Sequence, residues 1–248
     1  MLRKLLLSAF LIASLAASGS ASAGEELNAA QKMEVEKIIR DYIANNPDVL
    51  MRAMQDYQIR QQAAKLQQAR NNLITLAADL NTNPASPVIG NPDGDVTIVE
   101  FFDYRCGYCK KVFPTIQALL KEDGNIRYVL KEFPILGPQS VIASQMALAI
   151  WNKAPEKYRD FHTALMTARG QLNEKKALSI AENLGIDTSS FAKDMNGAPV
   201  TDELNQNMRL AQSLGIEGTP AFVVGQELAP GAISMDELKK MVETARKG

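Results

Sequence analysis

The chain has few of the residues that hold metal ions, and it has no excess of basic residues. Its 248 residues include two cysteines and one histidine. A closed zinc site needs four protein ligands, so this set predicts no metal site. The formal net charge is −1, which argues against a nucleic-acid partner, because proteins of that class present a basic face.

A long apolar run occurs once, near the N-terminus. Arg3 and Lys4 precede the apolar residues 5–17, and small residues ending in Ala-Ser-Ala at 21–23 follow. A membrane anchor is the alternative, but a spanning helix needs about 20 apolar residues. The pattern predicts a cleaved secretory signal peptide over residues 1–23 and export to the periplasm. Its removal would leave 25 basic and 28 acidic residues, a net charge of −3.

Residues 24–80 are poor in helix-breaking residues. They contain no glycine after Gly24 and a single proline, Pro47, a composition that favours helix. Asn28 can cap a first helix, and Asn46 can cap a second one with Pro47 at its first position. We expect the second helix to extend to about residue 80.

Both predicted helices carry an apolar stripe that must be buried somewhere. The first stripe contains Val35, Ile38, Ile39, Tyr42 and Ile43, and the second contains Ile59, Leu66, Leu73 and Leu80 at a spacing of seven. The helices could fold back on the rest of the chain, but the spacing of seven favours a coiled-coil seam. We therefore predict that residues 24–80 form a homodimer or homotrimer. The sequence NTNPASP at 81–87 begins a predicted linker at 81–94.

The pattern then alternates between strand and helix. DVTIVEFFDY from Asp95 and NIRYVLKEFPI from Asn125 predict buried strands, and the helix between them indicates a parallel βαβ unit. Strand signals vanish between 138 and 215, where helix-starting residues predict four or five helices; these are Pro138, Pro155, Asn173, Asp187 and Pro199. PAFVVG then predicts another strand, QELAPGA an edge strand, and Ser234 a capping box for the last helix.

The two cysteines lie three positions apart in FFDYRCGYCKK, between a predicted strand and a predicted helix. Cysteine pairs in exported proteins usually form disulfides, but a structural disulfide stabilises most when it closes a long loop. A redox-active dithiol therefore fits better. The helix N-terminus would stabilise a thiolate at Cys106, the predicted nucleophile. Cys109, one turn later, would resolve the mixed disulfide.

The strand, the C-x-x-C motif, the helix and the late Thr219-Pro220 together resemble the thioredoxin superfamily. The helical block at 138–215 is similar to that of the DsbA-like branch. The sequence NPDGDVTIVEFFDYRCGYC, the KEFPILG strand end and the helical N-terminal extension resemble the oligomeric ScsC-like members most. The resemblance implies an α/β thioredoxin fold over residues 95–248 with an inserted helical domain, and a Cys106 to Cys109 disulfide in place of a cofactor.

The resemblance also implies roles for the residues around the dithiol. Thr219 and Pro220 look like the cis-proline dipeptide that binds the substrate backbone, and Gly107 and Tyr108 would contact the substrate as well. A cis X-Pro bond is uncommon, so it would be there for function.

Three further ionisable residues have less certain roles. Glu100 matches the buried acidic position that manages the proton of Cys109, although it could be an ordinary carboxylate at a strand end. Lys131 could be its buried partner or a solvated lysine. His162, in the helical block, is expected to be a packing or surface residue.

The dipeptide between the cysteines bears on the direction of the reaction. Gly107-Tyr108 replaces the Pro-His of the strongly oxidising DsbA proteins and is similar to that of DsbC-type isomerases. We therefore expect an isomerase or reductase that acts on cysteine-containing exported proteins and is kept reduced by a membrane thiol reductase. The alternatives are a dithiol oxidase served by a quinone-linked membrane oxidase, and an envelope protein whose thiolates bind Cu(I).

Overall fold

The computed structural model describes residues 26–189 and 191–247. The predicted signal peptide at 1–23 lies outside the described residues. The chain divides after residue 58 into two compact units, and each is described here by itself. Within the described ranges, no helix combines the length and the apolar character needed to cross a membrane.

The first unit contains helix α1 (Ala29–Asn45) and the start of helix α2 (Pro47–Thr75). The Asn28 side chain accepts a hydrogen bond from the Gln31 backbone, and the Gln31 side chain accepts one from the Asn28 backbone. This reciprocal capping box fixes the first turn and confirms the predicted start of the helix. Every residue of α1 is exposed, including its apolar stripe.

The second unit begins at residue 59 with the rest of α2. Its further elements are α3 (Ala77–Asn81), β1 (Val88–Gly90), β2 (Val96–Phe102), α4 (Gly107–Glu122), β3 (Ile126–Glu132), α5 (Pro138–Lys153), α6 (Pro155–Thr167), α7 (Glu174–Asn183), α8 (Phe191–Asp194), α9 (Ala198–Leu214), β4 (Ala221–Val224), β5 (Glu227–Pro230) and α10 (Met235–Lys247). Helices α5 to α9 lie in the segment where the sequence predicts a helical insert.

The strands form one mixed sheet in the order β1-β3-β2-β4-β5. Strands β2 and β3 are parallel and joined by α4, which confirms the predicted βαβ unit. The other neighbours are antiparallel. Strand β2 lies at the centre, so its carboxyl end delivers the cysteine motif to the middle of the sheet edge, where α4 begins.

Side chains alternate between the two faces of the sheet, as strand geometry requires. Ile98 and Phe102 pack with α4, α10 and most of the insert helices, whereas Val99 and Phe101 pack with α3 and α9. Glu100 therefore projects toward the α4 face. The same alternation directs Lys131, which pairs with Phe101, toward the opposite face.

The predicted coiled-coil seam is wrong in its second half. Leu73 and Leu80 are buried in the core cluster formed with β2 and α9, while Ile59 and Leu66 are exposed. Helix α2 ends at Thr75, and the short α3 follows it. The later part of the apolar stripe therefore packs within its own unit, whereas the earlier part stays exposed.

The predicted linker at 81–94 is also wrong. Strand β1 pairs with β3 inside the sheet, and Ser86 is completely buried. Asn83 donates a hydrogen bond to Glu203 at 2.8 Å. Turn-forming residues such as those of NTNPASP break helices, but here their polar groups bind buried partners, so the segment is part of the folded unit.

Candidate active site

Cys106 occupies the N-cap of α4, four residues after the end of β2. Its Sγ accepts a hydrogen bond from the backbone N–H of Cys109 at 3.5 Å and donates one to the Thr219 carbonyl oxygen at 3.2 Å. The residue is 6% exposed, so a reagent reaches the sulfur through a small opening. The unpaired N–H groups of the helix start favour a negative charge at this place.

Cys109 lies in the first turn of α4 and is completely buried. Both cysteines are free thiols in this structure. Burial raises the pKa of the Cys109 thiol well above its usual range, and the charge of Glu100 raises it further; a hydrogen bond with the backbone of Asp103 opposes them. Cys109 therefore holds its proton firmly and needs a base before it can attack another sulfur.

The Thr219-Pro220 peptide bond is cis and lies directly before β4. Since β4 pairs with β2, this loop lies at the same end of the sheet as the cysteine motif, and the Thr219 carbonyl reaches Cys106. Tyr108 is 66% exposed. A Cβ at Gly107 would meet open space. The structure thus brings together Cys106, Cys109, Thr219 and Pro220, with the motif dipeptide on the surface beside them.

Glu100 is buried beneath the motif, on the α4 face of the sheet. The Tyr128 hydroxyl donates a hydrogen bond to its Oε2 at 2.7 Å, and Oε1 has no hydrogen-bond partner among the described residues. Burial raises the pKa of Glu100 to about 7, and the bond from Tyr128 partly opposes this rise. A carboxyl group with such a pKa can both accept and release a proton near neutral pH.

Lys131 is neither solvated nor paired with Glu100. It is completely buried on the opposite face, where its Nζ donates to the Asp79 carbonyl at 2.7 Å and to the Ser86 hydroxyl at 2.6 Å. The Glu203 carboxylate lies 3.9 Å away. Burial lowers the pKa of Lys131 to about 8. This lysine therefore ties α3 and the 81–87 segment to β3 and α9, and it plays no part at the dithiol.

His162 lies in the core between α6 and the active-site elements, 1% exposed. Its Nδ1 is 3.0 Å from the Tyr104 hydroxyl, and burial lowers the pKa of His162 to about 3. Its ring packs against aromatic rings of β2, α4 and α6. The histidine is a neutral packing residue, which is one of the two roles that the sequence predicts for it.

Sequence reasoning missed a buried acid beside this histidine. Glu132 accepts hydrogen bonds from Tyr104 at 3.0 Å, Tyr158 at 3.1 Å and Ser144 at 2.7 Å, and burial raises its pKa to about 8. Its partners lie on α5, α6 and the motif loop, which are distant in sequence. The one indication of this acid in the sequence is a glutamate at the end of an apolar strand.

No group of three or more histidine, cysteine, aspartate or glutamate side chains within residues 26–189 and 191–247 is arranged to hold a metal ion.

Comparisons with known proteins agree with this geometry. The DSBA-like thioredoxin domain model matches residues 97–243, and the model of the copper resistance protein ScsC N-terminal domain matches residues 31–64. Proteus mirabilis ScsC in a transitional conformation is 31% identical, with 89% of this chain and 99% of that chain covered and a TM-score of 0.67.

Two further relatives match the catalytic part. A thioredoxin-like oxidoreductase from Silicibacter pomeroyi DSS-3 is 45% identical, with 69% of this chain and 98% of that chain covered and a TM-score of 0.66. The thiol:disulfide interchange protein DsbA of Bordetella parapertussis is 30% identical over 59% of this chain and 70% of that protein. With its central C-x-x-C helix and inserted helices, the chain belongs to the DSBA-like thioredoxin family and is a thiol-disulfide oxidoreductase of the DsbA and ScsC type.

Proposed function

We propose that this oxidoreductase is a disulfide isomerase or reductase of exported proteins, and that Cys106 is its attacking sulfur. The observation that carries the proposal is the position of Cys106 Sγ at the N-cap of α4, within 3.2 Å of the Thr219 carbonyl. The Cys106 thiolate attacks one sulfur of a substrate disulfide. A mixed disulfide forms, and the other substrate sulfur leaves as a thiolate.

Two outcomes follow from the mixed disulfide. In isomerisation, a different substrate thiolate attacks the substrate sulfur that is bound to Cys106. A new disulfide forms within the substrate, the mixed disulfide breaks, and Cys106 leaves as a thiolate. In reduction, Cys109 attacks the Cys106 sulfur, the substrate leaves reduced by two electrons, and a Cys106 to Cys109 disulfide remains. A membrane thiol reductase would then return the two electrons to the dithiol.

Glu100 would be the base that makes the second outcome possible. It accepts the proton of Cys109 as that thiol attacks, and its raised pKa matches the task near neutral pH. Oε1, which has no hydrogen-bond partner in the described part of the chain, is the oxygen available for this proton, since Oε2 accepts the bond from Tyr128. Thr219 and Pro220 would hold the substrate backbone beside Cys106.

The first unit would assemble the protein into a dimer or trimer. The exposed side chains of Ile38, Ile39 and Tyr42 retain 58%, 53% and 57% of their accessible surface, and a contiguous apolar face of this kind marks a protein contact. Catalytic units held together raise the local concentration of dithiol around one substrate without any new contact.

An oxidase is the second candidate, because one matched relative is a thiol:disulfide interchange protein DsbA. The dipeptide Gly107-Tyr108 and the threonine before the cis-proline, Thr219, both resemble those of DsbC-type isomerases and support isomerisation instead. The two directions differ in the resting state of the dithiol in the periplasm, where an isomerase is reduced and an oxidase is oxidised. Trapping the thiols of cells in acid and alkylating them with a mass-shifting reagent distinguishes the two.

The chemistry is tested first by trapping. Cys109→Ser should accumulate a covalent complex with a substrate protein, and Cys106→Ser should form none. If the Cys106→Ser protein still reactivated a test protein with scrambled disulfides, the proposal would be wrong.

Assembly is tested on the full chain with Ile38→Glu and Tyr42→Glu together. We expect subunit dissociation in sedimentation and loss of isomerase activity, with reaction toward a small disulfide retained. Lys37→Glu, on the polar side of α1, is the matched control. Normal isomerase activity in a dissociated double variant would show that isomerisation does not require assembly.

A further inference from the structure

Asp103 lies in the turn between β2 and Cys106, and it is completely buried. Its carboxylate Oδ1 accepts hydrogen bonds from the Arg105 backbone at 2.7 Å and from the Ser140 hydroxyl at 2.8 Å. Its Oδ2 accepts one from the Leu136 backbone at 3.0 Å. An aspartate that only shapes its own turn would need the first of these bonds alone.

The backbone of Asp103 is engaged at the dithiol itself. Its carbonyl accepts the N–H of Cys106 at 3.0 Å, which closes the turn that places Cys106 at the N-cap. The Asp103 backbone also counteracts part of the rise in the pKa of the Cys109 thiol. One residue thus fixes the main chain at Cys106 and influences the ionisation of Cys109.

The carboxylate extends this arrangement to a second loop, residues 133–137, which connects β3 to α5. Helix α5 has no side-chain cap of its own at Gly137, and Ser140 in its first turn binds Asp103 instead. Arg105 reinforces the link from the outside, because its guanidinium donates to the Leu136 carbonyl at 2.7 Å. Leu136 keeps 44% of its surface exposed, so the two loops present an apolar side chain close to the motif.

We propose that Asp103 is a positioning residue that locks the Cys106 turn and the 133–137 loop into one rim, against which the polypeptide around the substrate cysteine lies. The inference rests on Cys106 being the attacking sulfur of the proposed function. The Asp103 side chain touches neither the substrate nor a cysteine sulfur; it acts through Arg105 and Leu136. Its loss should therefore slow exchange with an extended peptide more than exchange with a small disulfide.

The experiment compares two disulfides that release the same chromophore. One is an extended peptide whose single cysteine is joined by a disulfide to thionitrobenzoate. The other is dithiobis(nitrobenzoate), the symmetrical disulfide of thionitrobenzoate. In both reactions the Cys106 thiolate attacks, a mixed disulfide forms and thionitrobenzoate leaves. Because the same thiolate attacks, the ratio of the two rate constants cancels any change in its ionisation and reports on the rim.

Asp103→Asn should lower this ratio about tenfold, the effect of losing one well-made hydrogen bond to a charged group, because an amide N–H₂ would face the Leu136 N–H. Ser140→Ala and Arg105→Met keep the carboxylate and should each lower the ratio about threefold. These two variants keep the test decisive if the asparagine variant does not fold.

The matched control is Ser144→Ala, one turn further along α5. Ser144 is also buried and also donates to a carboxylate, but that carboxylate is Glu132. We expect Ser140→Ala and Ser144→Ala to lower the melting temperature similarly, and only the former to change the ratio. An unchanged ratio in the folded Asp103 or Ser140 variants, or an equal fall in Ser144→Ala, would overturn the inference. Release of thionitrobenzoate by Cys106→Ser at the wild-type rate would refute the proposed function instead.

Discussion

Replacing Glu100 by glutamine should stabilise the reduced protein while it slows the reaction. The pKa of this carboxyl rises from 4.5 to about 7 on folding, chiefly because of burial. The unfolded chain therefore releases this proton at lower pH than the folded protein does. Stability contributed by the protonated carboxyl is fully present below pH 4.5 and falls as the pH rises to 7. At about 1.4 kcal/mol per pKa unit, the charged form costs the folded protein about 3 kcal/mol above pH 7.

Glutamine removes this cost with little change in contacts. Its oxygen can accept the bond from Tyr128, and its amide nitrogen takes the place of Oε1, which has no partner among the described residues. Glu100→Gln should therefore match the wild type near pH 4.5 and exceed it by about 3 kcal/mol at pH 8. The resolving step should slow about a hundredfold or more, because the base that we propose for Cys109 is lost.

Urea unfolding of the reduced protein between pH 4.5 and 8.5 measures the first effect, with fluorescence of Trp151, the single tryptophan, as the probe of the catalytic unit. Decay of the mixed disulfide, followed by acid quenching, measures the second. Glu100→Asp is the control that keeps a carboxyl group. Parallel stability curves for wild type and Glu100→Gln over this pH range would refute the reasoning.

Three other changes have defined outcomes. Tyr128→Phe removes the donor that partly opposes the rise in the pKa of Glu100, so the pH midpoint of mixed-disulfide decay should move upward; a midpoint that stays or falls contradicts this. Glu132→Gln should remove the loss of stability between pH 4.5 and 8 that follows from its raised pKa, checked by the same urea titration. Lys131→Met leaves the buried Glu203 carboxylate without its cation and should destabilise the catalytic unit by about 3–5 kcal/mol; calorimetry that shows a change below about 1 kcal/mol would contradict it.

The sequence predicts the local elements of the catalytic unit well, because their signals are local. Strands β2 and β3 are β-branched and aromatic, and the Ser234 capping box opens α10 as expected. The parallel pairing follows from strand, helix and strand at that length. The position of Cys106 at a helix start follows from the same pattern.

Helices α2 and α3 show where this reasoning stops. A stripe of apolar residues must be buried, but the spacing of its residues does not tell which surface it packs against. Leu73 and Leu80 pack on the catalytic unit and Ile59 does not, and nothing in the spacing of seven distinguishes them. Residues 81–87 look like a linker in the sequence, because the residue that binds Ser86 is not nearby. It is Lys131, on a strand 45 residues later.

By itself, the sequence determined the redox chemistry: two cysteines at the start of a helix and a proline loop after the insert suffice to indicate it. Tertiary structure alone decided which buried charged groups lie on the dithiol side of the sheet. Glu100 and Lys131 lie on adjacent central strands, but the alternation of side chains sends one toward the dithiol and the other to the opposite face. Asp103 and Glu132 obtain their partners from helices of the insert, and burial shifts the pKa of Glu100 and of Glu132. Burial and register are properties of the packed chain, because both depend on residues far apart in sequence.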